Sequence, residues 1–131
     1  MPFASRGRHS IHYEEMGSKG APPLLLIMGL ALSARGWGRL ARVLSRHFRV
    51  VLFDNRGTGR SGRARLGLRM RDLADDAAAV LDAAGIESAD VFGISMGGMI
   101  AQELALRHPR RVRRLALGLC CRSSSRARLA P

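Results

Sequence analysis

Val91-Phe92-Gly93-Ile94-Ser95-Met96-Gly97-Gly98-Met99-Ile100 is the stretch that decides the fold. An apolar run reaches a serine with glycine two residues away on either side, and a helical apolar pattern begins at once. Gly93 to Gly97 satisfies G-x-S-x-G, and a strand before it with a helix after it is the context that gives the pattern meaning. So sharp a turn strains the Ser95 torsions, and the residues two before and two after must be small to avoid colliding with it, a demand that Gly93 and Gly97 meet. Ser95 Oγ then projects above a sheet at a helix N-terminus, where the dipole favours developing negative charge. The Met96 N–H points to where an oxyanion would form. The competing reading is a Gly/Ser turn in which Ser95 only caps a helix.

Outward from this stretch the chain alternates strand and helix patterns, with no internal repeat or long linker. Ile11 to Glu15 alternates weakly and predicts an edge strand. Leu24 to Met28 is a continuous apolar run behind Pro22 and Pro23, as in a strand buried on both faces. Ser33 is placed to cap a helix from Ala34 to Ser45, with Trp37, Leu40, Ala41 and Leu44 on one face. Val50 to Phe53 predicts a second buried strand and leads into the glycine-containing turn Asp54 to Gly59. Met70 to Ala84 predicts a helix closed by Gly85, with Leu73, Ala77, Val80, Leu81 and Ala84 as its buried stripe. Asp72, Asp75 and Asp76 lie in its first turns, where the dipole favours carboxylates. Asp90 to Gly93 is then a strand, Met96 to His108 a helix stopped by Pro109, and Val112 to Leu119 a last strand.

This alternation predicts an α/β fold, a mostly parallel sheet with helices on both faces. Residues 1–121 are expected to form the domain and 122–131 an arginine-rich irregular tail. Nothing follows the last strand to cover it, so an open apolar sheet edge is expected to invite self-association.

Three motifs together resemble the N-terminal half of the α/β-hydrolase fold superfamily, of the esterase, lactonase and cofactor-free haloperoxidase kind. Met28-Gly29-Leu30 followed by Trp37 resembles its oxyanion loop. Asp54-Asn55-Arg56-Gly57-Thr58-Gly59-Arg60-Ser61 resembles its D-x-R-G-x-G-x-S turn, and Gly93 to Gly98 its G-x-S-M-G-G nucleophile elbow. The resemblance covers most of residues 8–121. It implies Ser95 as nucleophile, the Leu30 and Met96 N–H groups as the oxyanion hole, and Gly93, Gly97 and Gly98 as elbow glycines. It makes Gly29 and Trp37 candidates for the substrate pocket, and Asp54 a structural brace rather than a catalytic acid. Many relatives have His-Gly where this chain has Met28-Gly29; backbone donors tolerate that change. The implied activity is hydrolysis of carboxylic esters or lactones of small molecules, without metal or organic cofactor. Acyl transfer and haloperoxidase chemistry are alternatives on the same fold.

The family orders its triad as Ser, then Asp or Glu, then His. After Ser95 this sequence has one acidic residue, Glu103, and one histidine, His108. His108 stands thirteen residues on, about 20 Å along a helix, and is read as a C-terminal residue favoured by the dipole. His9, His12 and His47 are read as outside the site. The chain is therefore expected to contain a nucleophile without its base or acid, and to be catalytically incomplete by itself, because an unassisted serine hydroxyl is a weak nucleophile. The non-catalytic alternative is a fragment or a basic binding module. The pattern-free stretch from Arg122 suggests a truncated gene or a shifted frame.

The composition is 47% hydrophobic and the net charge +12. Eight of the excess arginines, from Arg107 to Arg128, lie beyond the last acidic residue, Glu103. A second basic stretch spans residues 63–71. The only Tyr and Trp, Tyr13 and Trp37, lie far from the basic end, so specific nucleic-acid binding is not expected. Adjacent Cys120 and Cys121 give neither a disulfide framework nor a zinc site. With no apolar run long enough for a signal peptide or a membrane span, the chain is read as cytoplasmic.

Overall fold

A computed structural model describes residues 3–29, 33–62 and 67–119. Leu30, residues 63–66, the Cys120-Cys121 pair and the tail 122–131 lie outside the described residues. Six strands form one sheet in the order β1-β2-β4-β3-β5-β6: β1 (Phe3–Arg6), β2 (His9–Met16), β3 (Pro23–Ile27), β4 (Arg49–Phe53), β5 (Ala89–Ile94) and β6 (Val112–Gly118). β1 pairs antiparallel with β2, and β2 with β4. The pairs β3–β4, β3–β5 and β5–β6 are parallel, so the mostly parallel α/β sheet expected from the alternation is the one observed.

Leu25, Ile27, Val50 and Val51 have no exposed surface, as required of central strands covered on both faces. Helices α2 (Met70–Ala83) and α3 (Met96–Arg107) lie on one face. Their apolar stripes, including Leu73, Ala77, Val80, Leu81, Ile100 and Leu104, join Ile11, Leu25, Ile27, Val51 and Val91 in the larger core. Helix α1 (Gly38–Leu44) covers the other face with a smaller cluster: Leu24, Leu26, Met28, Ala34, Trp37, Ala41, Val50 and Leu52.

Several expectations change. The strand at Ile11 to Glu15 is longer and is not the edge, because β1, too short to show a periodicity, pairs outside it. The helix from Ala34 to Ser45 is broken: a 3-10 turn runs Ala34–Trp37, and Gly38, at φ 42°, begins α1. This break rotates Leu40 into solvent (45% exposed) while Trp37 and Ala41 stay buried. Ser33 stands before the 3-10 turn but makes no side-chain cap.

Asp72 accepts a hydrogen bond from the Arg69 N–H at 2.8 Å, a helix-start role. Asp75 and Asp76 have specific partners beyond the dipole. Asp76, fully buried, receives Arg56 Nε at 3.0 Å and Nη2 at 2.7 Å, and Arg6 Nη1 at 3.0 Å. Asp75 receives Arg107 Nη2 at 2.8 Å and meets His108 Nε2 at 2.8 Å. His108 thus ends α3 on a carboxylate of α2, a stronger reason for its place than the dipole. Burial works to raise the Asp75 pKa, but hydrogen bonds from Arg107 and His108 outweigh it and hold the carboxyl below its ordinary range.

β6 is the last strand of the described sheet, and its Leu115 and Leu117 are 40% and 45% exposed. Among the described residues no further strand pairs with its outer side. Among the described residues no helix is long and apolar enough to cross a membrane.

Candidate active site

Ser95 joins β5 to α3 with φ 54° and ψ −125°. Only one other described non-glycine residue, Leu119, has positive φ. A β-carbon in this region costs of order 1–3 kcal/mol, and the surroundings hold it there: the Ser95 N–H donates to Gly118 O at 2.9 Å, and the Gly98 N–H donates to Ser95 O at 2.9 Å. The side chain is exposed, at the C-terminal end of the central parallel strands, where open α/β sheets place ligands.

The elbow glycines have a more specific cause than expected. A β-carbon on Gly93 would overlap the Gly97 carbonyl and the Gly98 nitrogen; on Gly97 it would overlap the carbonyls of Ile27 and Met28. The obstruction is thus the backbone of α3 and of the neighbouring β3 end, rather than Ser95 itself. Gly98 is buried in the first turn of α3. Met96 is the first residue of that helix, so its N–H has no intrahelical acceptor and faces the positive end of the dipole.

Gly29 also touches this turn. A β-carbon there would stand 3.2 Å from Ser95 Cβ and 3.6 Å from Ser95 Oγ. The loop after β3 therefore runs against the serine because β3 lies directly beside β5. Leu30, the other expected oxyanion donor, lies outside the described residues. Trp37, singled out for the pocket, is 4% exposed and packs in the smaller core with its ring 5.5 Å from Phe92. In this chain it is a core side chain below the sheet end.

The turn after β4 braces the loop from its other side. Asp54 Oδ1 accepts from the Ala34 N–H at 2.7 Å and Oδ2 from the Arg60 N–H at 2.9 Å. Ser61 Oγ donates to Asp54 O and accepts from the His12 N–H at 2.9 Å. The Asp54 carboxylate is buried among these donors, with His12 Nδ1 3.7 Å away. Asn55, also buried, donates from Nδ2 to Met28 O at 3.0 Å. The family resemblance implied the bracing role of Asp54, whereas Asn55 gave no signal beyond an amide between two residues of a recognised turn.

The histidines have other places in the fold. His12 neighbours Asp54, and His108 meets Asp75. His9 begins β2, and His47 is exposed after α1. Glu103 is buried on α3. Among the described residues, Ser95 Oγ has no histidine or carboxylate hydrogen-bonded to it, and no three His, Cys, Asp or Glu side chains converge as a metal site.

Comparison with known proteins agrees with this architecture. The family model for the alpha/beta hydrolase fold matches residues 22–118. A protein named as a putative carbamate hydrolase, RutD, from Azorhizobium caulinodans is 42% identical over 117 residues, covering 89% of this chain and 43% of its own length. The rhodomycin D methylesterase DauP from a Streptomyces species is 44% identical, over 81% of this chain and 37% of its own. Among solved structures, a hydrolase from Pseudomonas aeruginosa superposes with TM-score 0.86 at 33% identity, over 90% of this chain and 45% of that one. An enol-lactonase from Burkholderia xenovorans gives 0.82 at 32% identity, covering 87% and 45% respectively. The chain thus spans less than half the length of these relatives.

Proposed function

The chain belongs to the α/β-hydrolase fold family, and from that premise we propose that it carries the nucleophilic half of a serine hydrolase acting on small-molecule carboxylic esters or lactones. One observation carries the proposal: Ser95 is exposed in strained torsions at the N-terminus of a twelve-residue helix. Strain of this kind has no packing purpose, since it lifts the side chain away from the core.

In the proposed reaction Ser95 Oγ attacks the carbonyl carbon of the ester while its proton passes to a general base. The carbonyl oxygen becomes an oxyanion stabilised by the Met96 N–H and by the Leu30 N–H of the loop after β3. Collapse breaks the bond to the alcohol oxygen, which takes up a proton, and water then cleaves the acyl-serine by the same route. The base and its supporting acid are not among the described residues, so the isolated chain turns over slowly. In a comparable hydrolase, loss of the base costs on the order of 10⁶ in turnover, with about 10³ to 10⁴ over water retained by the oxyanion hole and binding. The names of the relatives, a carbamate hydrolase and a methylesterase, support attack at an acyl carbonyl. The engagement of His12 and His108 with Asp54 and Asp75 favours a second reading, a chain that folds and binds without catalysing.

An activated fluorophosphonate separates these readings. Covalent modification at Ser95, slowed by the missing base but located by peptide mass and abolished in Ser95→Ala, is the expected result. Failure of the folded chain to react under prolonged exposure would leave the non-catalytic reading.

A further inference from the structure

The peptide between Met28 and Gly29 is held from two sides. Its carbonyl oxygen accepts from Asn55 Nδ2 at 3.0 Å and lies where a β-carbon on Gly97 would collide. Its Gly29 end lies against Ser95. Because the acceptor is a carbonyl, the facing Asn55 atom must be the amide nitrogen, which settles the orientation of that side chain. Its other atom, Oδ1, is buried and accepts no hydrogen bond from a protein group among the described residues.

We propose that Asn55 is a positioning residue for the oxyanion loop: its amide sets the Met28–Gly29 peptide plane and thereby the direction of the backbone that leaves Gly29 beside Ser95. A trans peptide is planar, so holding the carbonyl also holds the N–H on its opposite side. The inherent freedom of glycine then begins from a defined plane. Without Asn55 the plane can rotate, because Met28 O loses its donor and Gly29 has no side chain to resist. The effect on chemistry rests on the reading of Ser95 as nucleophile; the control of the peptide plane does not.

Two measurements on the full 131-residue chain keep these apart. In Asn55→Ala the amide resonance of Gly29 is expected to shift or broaden, while those of β5 stay in place; an unchanged Gly29 resonance would overturn the inference whatever happens at Ser95. Fluorophosphonate modification of Ser95 is expected to slow about 10-fold in the same variant, a fraction of the loss caused by removing an oxyanion donor outright. Asn55→Asp keeps the shape but donates to Met28 O only when its carboxyl is protonated. Its rate relative to the unchanged chain should therefore rise as pH is lowered into the carboxylate range, which a merely structural role would not produce. A pH-independent ratio, or wild-type rates in both variants, would also overturn the inference. No reaction in the unchanged chain together with a displaced Gly29 resonance would overturn the proposed function and leave the peptide-plane inference standing.

Discussion

Two turns leave the C-terminal end of the sheet side by side in function but opposite in physical character. The turn after β4 buries its polar groups and satisfies nearly all of them: Asp54 accepts two backbone N–H groups, and Arg56 meets Asp76 through two nitrogens. The turn after β5 does the reverse. It exposes its one polar side chain, Ser95, and holds it at φ 54°. A polar residue that is buried and bonded is a brace; one that is strained and exposed is available for chemistry. Asp54, a carboxylate at a strand end, resembles a catalytic acid in sequence alone, and its full set of partners is what separates it from one.

The comparison can be broken most severely through Asp76. Asp76→Asn leaves Arg56 buried beside a neutral amide, with Arg6 also losing a partner; a loss of about 3–5 kcal/mol in urea unfolding is expected. A change under 1 kcal/mol would mean that the guanidinium reaches water. Gly97→Ala tests the elbow from its packing side. Its β-carbon would overlap the carbonyls of Ile27 and Met28, and the cost should be about 3 kcal/mol, toward the upper end for overpacking against a backbone that cannot yield. Asp54→Ala strips the Ala34 and Arg60 N–H groups of their acceptor and should cost about 2 kcal/mol.

Ser95→Gly sharpens the contrast by changing sign. Glycine relieves the positive φ, so the variant should be more stable by about 1 kcal/mol, read as a raised unfolding midpoint. A destabilised variant would show that Ser95 contributes to the fold and would weaken the argument from strain.

The smallest expected effect is the acid dependence of the surface cluster around Asp75. Its folded carboxyl titrates below its ordinary range because hydrogen bonds from Arg107 and His108 outweigh the opposing effect of burial. A depressed carboxylate contributes stability above its unfolded value, about 3.9, and loses it as pH falls through the folded one. Unfolding midpoints followed downward from neutral pH should therefore fall more gently in Asp75→Asn than in the unchanged chain. Parallel curves would show that the pairs, with Arg107 39% exposed, are screened by solvent.

Local pattern made much of this legible. The β5–α3 elbow, the helix from Met70 and the buried β3 and β4 runs all show in sequence because each repeats its own periodicity over several residues. β1 did not show, since four residues are too few to establish alternation and its place depends on pairing with β2. The break at Gly38 was hidden as well, because the apolar spacing of Trp37 and Ala41 survives it. In the candidate site, Ser95 and its glycines were legible as a strand-turn-helix motif, whereas Asn55 was not: its meaning lies in a carbonyl twenty-seven residues away.

By itself the sequence determined the α/β class, the serine at a strand-to-helix turn, and which glycines that turn requires, since these follow from periodicity and local sterics. Only the tertiary structure decided which side chains meet. Strand β3 inserts between β4 and β5, and that order sets Gly29 against Ser95 and Asn55 on Met28. The physical reason is that parallel strands of similar apolar composition carry no local mark of their neighbours. Their order emerges only when the whole sheet buries both faces.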